Sequence, residues 1–192
     1  MVVAARPAEL DLTVCVRRVD PPPQPRIAIL QAIPKGDRGE LAVELMTEAG
    51  ADVIVPWAAQ RSVAIWRGDR AARSLARWIS TAEQAAKQSR RSWFPEVTEQ
   101  ADLAAAARRI SAAALAIVLD PDAEEPLTAA LVPAEGEVVL VVGPEGGISP
   151  AENDAFIAAG AVRARLGPTV MRASSAGAVA AGVLLSRTAR WA

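Results

Sequence analysis

Beyond residue 25, short apolar runs alternate with stretches whose apolar positions recur at helical spacing. Ile27 to Ile33 reads as a strand. Asp37 and Glu40 have capping-box spacing, and Leu41, Leu45, Met46 and Ala49 form an apolar stripe that stops at Gly50. Val53 to Trp57 is the next strand, and Ser62 to Trp66 reads as another. A helix follows from about Arg70 to Ser89. Val97 to Asp102 fits neither period. Helix returns over Leu103 to Ser111, then a buried strand over Ala114 to Leu119 and a short helix over Glu125 to Leu131. Val138 to Val142 is apolar at every position, as in a strand buried on both faces of a parallel sheet. Pro150 to Ala159 is helical, Val162 to Leu166 a strand, and Ser175 to about Arg190 the last helix. The alternation predicts an α/β domain with a mostly parallel sheet. Ahead of it, Leu12 to Val19 is strand-like. Pro21-Pro22-Pro23-Gln24-Pro25 fits neither a ladder nor a helix interior, so a domain boundary is placed between residues 1–25 and 26–192.

Composition narrows the chemistry. Histidine is absent from the 192 residues and Cys15 is the single cysteine. This excludes Ser-His-Asp and Cys-His nucleophilic sites, imidazole zinc sites and a disulfide framework. No carboxylate cluster of metal-ligand type is evident, so no metal is expected. No apolar run reaches membrane-span length and the first ten residues lack a signal-peptide layout, so a cytoplasmic protein is expected. The net charge of −1 hides polarised blocks. Arg61 to Pro95 carries eight basic and two acidic residues, Glu96 to Val162 two against twelve, and the remainder five basic and no acidic ones. Such blocks imply one basic face. On the helix over 70–89, Arg70, Arg73, Arg77, Gln84, Lys87 and Arg91 fall on one side, and Leu75, Trp78, Ile79, Ala82 and Ala86 on the other. The apolar side would pack on the sheet; the basic side would face solvent or the phosphates of a nucleic acid.

Two segments run from a strand end to a helix start. In the first, Val142-Gly143-Pro144-Glu145-Gly146-Gly147 leads to Ser149 as N-cap, Pro150 in the first turn and Glu152 completing a capping box. Its glycines permit close approach of a ligand to backbone at the carboxyl end of a strand. It is neither a Walker loop nor a dinucleotide fingerprint, and a tight turn without ligand is the alternative. In the second, Leu166-Gly167-Pro168-Thr169-Val170-Met171-Arg172 precedes the last helix, which Ser174 or Ser175 would cap. Arg172 sits where a helix N-terminus and a guanidinium both favour an electron-rich group.

Together these residues resemble the cofactor-binding signature of SPOUT methyltransferases, most closely the ribosomal RNA small-subunit methyltransferase E family. Gln31 to Arg38, Glu48 to Pro56, Arg61-Ser62 and Glu83 to Arg91 resemble that family in the same order, so the likeness runs from Arg26 to Trp191. The resemblance implies S-adenosylmethionine-dependent methylation of N3 of a uridine in small-subunit (16S) ribosomal RNA. It implies a mostly parallel α/β sheet with a carboxyl-terminal trefoil knot, and a homodimer. Carried over by position, the cofactor loops hold Leu119 and Pro121; Val142, Gly143, Pro144, Gly146 and Gly147; and Leu166, Gly167, Met171, Ser174 and Ala176. Arg172 is the first choice for stabilising the reacting base and Glu145 the second catalytic candidate. Lys35, Arg38, Arg70, Arg73, Arg77, Arg90 and Arg91 are the candidates for contacting ribosomal RNA or the assembled 30S subunit. For the homodimer, Ala176, Val179, Ala180, Val183 and Leu184 form an apolar stripe on the last helix that could serve core or interface.

The sequence departs from the family pattern twice. Family members begin with a PUA-like barrel, of which residues 1–25 would be a remnant. After the arginine the family has Thr-Glu-Thr-Ala, whereas Ala173-Ser174-Ser175-Ala176 stands here, so no carboxylate role is assigned there. A non-catalytic RNA-binding module of the same fold, or a SPOUT enzyme acting on transfer RNA or another base, are the alternatives.

Overall fold

A computed structural model describes residues 1–191. A hairpin of β1 (Val2–Arg6) and β2 (Glu9–Leu12) forms a separate two-stranded sheet. The main domain then runs β3 (Arg26–Ala32), α1 (Arg38–Glu48), β4 (Val53–Trp57), α2 (Asp69–Gln88), β5 (Glu96–Val97) and α3 (Leu103–Ala112). It continues with β6 (Leu115–Leu119), a 3-10 turn (Leu127–Ala129), β7 (Glu137–Val142), α4 (Pro150–Ala158), β8 (Val162–Ala164) and α5 (Ala173–Leu185). Six strands pair in the order β5-β4-β3-β7-β6-β8, and every pairing is parallel.

Helices cover both faces, which is why the central strands are apolar throughout. Ile27, Ile29, Val138 and Leu140 face one core layer, under α1, α2 and α5. Ala28, Leu30, Val139 and Val141 face the other, against Ile110 of α3 and Phe156 of α4. Two glycines set how closely the first layer packs. A Cβ on Gly39 would lie 2.8 Å from the Trp78 indole nitrogen, and one on Gly177 would lie 3.0 Å from Met46 Sδ and 3.3 Å from Ile29 Cγ2.

Several local expectations fail. Leu12 to Val19 is no strand: pairing ends at Leu12, and beyond it Val14, Val16 and Val19 are exposed with no neighbouring ladder. Ser62 to Trp66 is no strand either. Both edges of β4 are taken by β3 and β5, and Trp66 turns inward to meet Trp78 edge to face, 5.0 Å between ring centroids. Asp37 precedes α1, but its backbone is not extended and its side chain makes no cap bond. The buried face of α1 is Gly39, Ala42, Val43, Met46 and Thr47, because α2 and α5 both pack on it; Leu41 is exposed. Ile79 on α2 is likewise exposed, while Ser74 and Ala85 are buried. The ambiguous stretch contributes the end of the two-residue strand β5. The last helix starts at Ala173 with Arg172 as N-cap, so neither Ser174 nor Ser175 caps it, and it ends at Leu185.

Candidate functional site

Because all six strands are parallel, their exit loops share one edge of the sheet. β7, β6 and β8 are adjacent there, and the loops that follow them enclose a cleft of about 710 Å³. One wall is Leu119, Asp120, Pro121 and Asp122. A second is Val142 to Glu145, Gly147 and Ile148, continuing into Pro150, Asn153 and Asp154 of α4. The third runs from Leu166 and Gly167 through Met171 and Arg172 to Ala173 and Ala176. Gly143, Gly147, Gly167 and Ala176 leave backbone accessible in these walls, which suits a ligand read partly through amides and carbonyls.

The glycine loop is held from within. Ser149 accepts from Glu152 N, and the Glu152 carboxylate accepts from Ser149 N at 2.9 Å, the capping box expected from the sequence. Gly147 N donates to Pro144 O at 2.8 Å, closing a turn in which Gly147 has φ +74, a conformation that disfavours any residue with a Cβ. The first wall is held by an ion pair: Arg163 Nε and Nη2 lie 2.7 and 2.6 Å from Asp120 Oδ2, while Asp120 Oδ1 accepts from Asp122 N.

The cleft brings together residues up to 57 positions apart in sequence that the resemblance placed there: Leu119, Pro121, Val142, Gly143, Pro144, Gly147, Leu166, Gly167, Met171 and Ala176 all line it, as do Glu145 and Arg172. Two others do not line it. Ser174 is buried inside the first turn of α5. Gly146 faces Arg61, whose Cβ and carbonyl oxygen would lie 3.2 and 3.3 Å from a Gly146 Cβ. Asp120, between Leu119 and Pro121 in a loop the resemblance carried over, lines the cleft with them; Arg61, Asp122, Asn153, Asp154 and Arg163 line it without having been singled out as site residues. Arg61-Ser62 belonged to a matched motif, which was the one available signal; the others are brought in by tertiary packing. Asn153 Oδ1 is a buried acceptor without a partner among the described residues. Among those residues no group of His, Cys, Asp and Glu is placed to hold a metal ion, and no helix is long and apolar enough to cross a membrane.

The basic residues separate into two sets. Lys35, Arg38, Arg70, Arg73, Arg77 and Arg90 are exposed, with Arg77 Nε 3.4 Å from Glu40. Lys35 and Arg38 follow β3 and Arg70 opens α2, at the edge that carries the cleft. The twenty residues of α2 span roughly 30 Å, so Arg90 emerges at the opposite edge. Arg91 is not a free cation. Its guanidinium donates to Thr47 O at 2.9 Å and to Ala51 O, and pairs with Asp52 Oδ1 at 3.1 Å. Arg190 also engages Asp52, at 2.6 Å, and donates to Pro25 O and Gly50 O. Burial pulls the Arg91 guanidinium below its usual range; Asp52 opposes that shift and Arg190 adds to it. Helical spacing put Arg91 on the basic face, but the helix ends before it and the chain turns it inward.

A family model for an RNA methyltransferase domain matches residues 21–185. The ribosomal RNA small subunit methyltransferase E of Mycobacterium bovis is 45% identical over 175 residues, covering 89% of this chain and 67% of its own length. The protein of that name from Bacillus subtilis is 29% identical over 158 residues, 79% of this chain and 62% of its own. The chain thus spans about two thirds of the length of these relatives. Among solved structures, a ribosomal RNA small subunit methyltransferase E from Neisseria gonorrhoeae, bound to S-adenosyl methionine, aligns with TM-score 0.75 and 25% identity over 85% of this chain and 66% of that one. A SpoU methyltransferase from Streptomyces viridochromogenes, in complex with AdoMet, shares the fold at TM-score 0.54 and 11% identity, over 87% of this chain and 62% of that one.

Proposed function

This chain belongs to the RNA methyltransferase domain family, and we propose that it methylates N3 of a uridine in small-subunit (16S) ribosomal RNA with S-adenosylmethionine as donor. The observation that carries this reading is the cleft at the carboxyl edge of the sheet, walled by glycine-containing loops, with exposed Lys35, Arg38 and Arg70 on that same edge. Leu119, Pro121, Val142, Gly143, Pro144, Gly147, Leu166, Gly167, Met171 and Ala176 would hold the cofactor. The cofactor supplies an electrophilic methyl group.

Uridine N3 must lose its proton for its lone pair to attack that methyl. Without histidine, the groups in the cleft able to take it are carboxylates or water. Asp120 is engaged by Arg163 and the Asp122 amide, which leaves exposed Glu145, Asp122 and Asp154. Arg172, exposed on the cleft at the N-terminus of α5, would stabilise the negative charge that spreads onto the uracil oxygens. Arg70, Arg73 and Arg77 would bind phosphates along α2.

The same reading includes a cytoplasmic homodimer, a carboxyl-terminal trefoil knot, and residues 1–25 as a unit apart from 26–192. The separate β1–β2 sheet supports the boundary. The return of α5 from the β8 edge to pack on α1, β3 and β7 supports a knotted path. For the dimer, Ala180 and Leu184 are buried in the chain's own core, so Val179 and Val183 are the part of the stripe left for a partner. Incubation with unmodified small-subunit RNA or assembled subunits, followed by mass-spectrometric mapping, tests the function. A methyl group on uridine N3 is expected; one on another base or on transfer RNA alone overturns the assignment. Failure to bind S-adenosylhomocysteine would leave an RNA-binding module.

A further inference from the structure

The segment leaving β4 grips the glycine loop at three points, although β3 separates β4 from β7. Trp57 Nε1 donates to Val142 O at the start of the loop, 3.0 Å. Arg61 Nη1 donates to Gly146 O in its middle, 3.2 Å. Gln60 N donates to Glu152 Oε1 at 2.6 Å, and Glu152 Oε2 accepts from Ser149 N and Oγ at the end of the loop. Trp57 and Glu152 are buried and engaged; Arg61 is exposed on the cleft. Among the described residues its other guanidinium N–H groups meet no acceptor. The same segment continues through exposed Val63, Ile65 and Arg67 into α2, where the basic face begins at Arg70.

We infer that Arg61 is a positioning residue that couples RNA binding to cofactor binding: one guanidinium holds the glycine loop through Gly146 and offers its free edge to an RNA phosphate. The inference rests on the function proposed above. An exposed arginine loses side-chain entropy whenever it holds one acceptor. A phosphate on its other edge fixes the same rotamer, so the contact to Gly146 O then forms at less cost and the loop is held in its binding shape. By linkage the effect is reciprocal: a filled cofactor cleft orders Gly146 and presents Arg61 to RNA. The planar fork of arginine can serve two acceptors at a fixed angle, which an ammonium cannot.

The test is calorimetric titration of S-adenosylhomocysteine into the full chain, with and without unmodified transcribed small-subunit RNA, for the wild type, R61A and R61K. RNA is expected to tighten binding about fivefold or more in the wild type, within the usual range of coupling between sites. In R61A the ratio should fall to about one, with the melting temperature unchanged because the side chain is exposed. R61K should keep RNA affinity near wild type yet lose the coupling. A wild-type ratio of one, or a wild-type ratio retained in R61A, overturns the inference and leaves the proposed function standing. A wild type that binds no S-adenosylhomocysteine overturns both.

Discussion

At the carboxyl end of the sheet, Gly143, Gly147 and Gly167 line an open cleft, and Arg61 and Arg172 reach it with free donors. At the amino end, Arg91 and Arg190 turn theirs on Asp52 and on the carbonyls of Pro25, Thr47, Ala51 and Gly50. Asp52 also accepts from Ile27 N at 2.8 Å, so it joins the start of β3, the end of α2 and the tail after α5. The same residue type therefore does opposite work. A buried arginine is tolerable only when its charge and donors are matched, which makes the amino end a closed structure. A binding edge must keep groups unmatched in the free protein, because only those can gain by meeting a ligand.

Removing Asp52 should give the largest effect. D52A leaves Arg91 and Arg190 beside each other without their anion, at a cost of about 3–5 kcal/mol. Urea unfolding should show it, while the fraction still folded binds S-adenosylhomocysteine as before. A wild-type midpoint would mean that the amino end is not the structural half. R172A should do the reverse, lowering turnover at saturating RNA about a hundredfold, the order seen when one donor to a developing anion is lost. Its melting temperature should not move; if RNA affinity fell and the rate held, Arg172 would be an RNA contact instead. G147A asks whether the loop must keep its left-handed turn. At φ +74 a Cβ costs about 1–2 kcal/mol, so affinity for S-adenosylhomocysteine should fall about tenfold. The smallest effect should come from R73A with R77A. The logarithmic salt slope of RNA binding should flatten by roughly 0.7 to 0.9 per lost phosphate contact, with cofactor affinity constant. An unchanged slope would make that helix face merely solvated.

Much of this division is visible in the chain, in unequal degree. β7 and the loop behind it carry their own instructions: five consecutive apolar residues require cover on both faces, and Ser149, Pro150 and Glu152 start α4 where the loop must end. The amphipathic run of α2 is legible for the same local reason. Arg91 is not, because nothing in its spacing announces that Asp52, 39 residues away, will meet it. The partners of Arg61 and Asp120 are illegible for a similar reason. Arg61 reaches Gly146 from 85 residues upstream, and Asp120 meets Arg163 from 43 upstream.

What the sequence determined by itself is therefore the class of fold, the order of its main elements, the glycine-containing loops and the exclusion of histidine chemistry. Each depends on residue type and on spacing within a few turns of chain. Only the tertiary structure decided which strands are neighbours, that Ser62 to Trp66 has no sheet edge to join, which face of α1 is buried, and which arginines are free. Those outcomes depend on groups that meet across the sheet. Hydrogen bonds and ion pairs act over a few ångströms of space, whatever the number of residues between the partners.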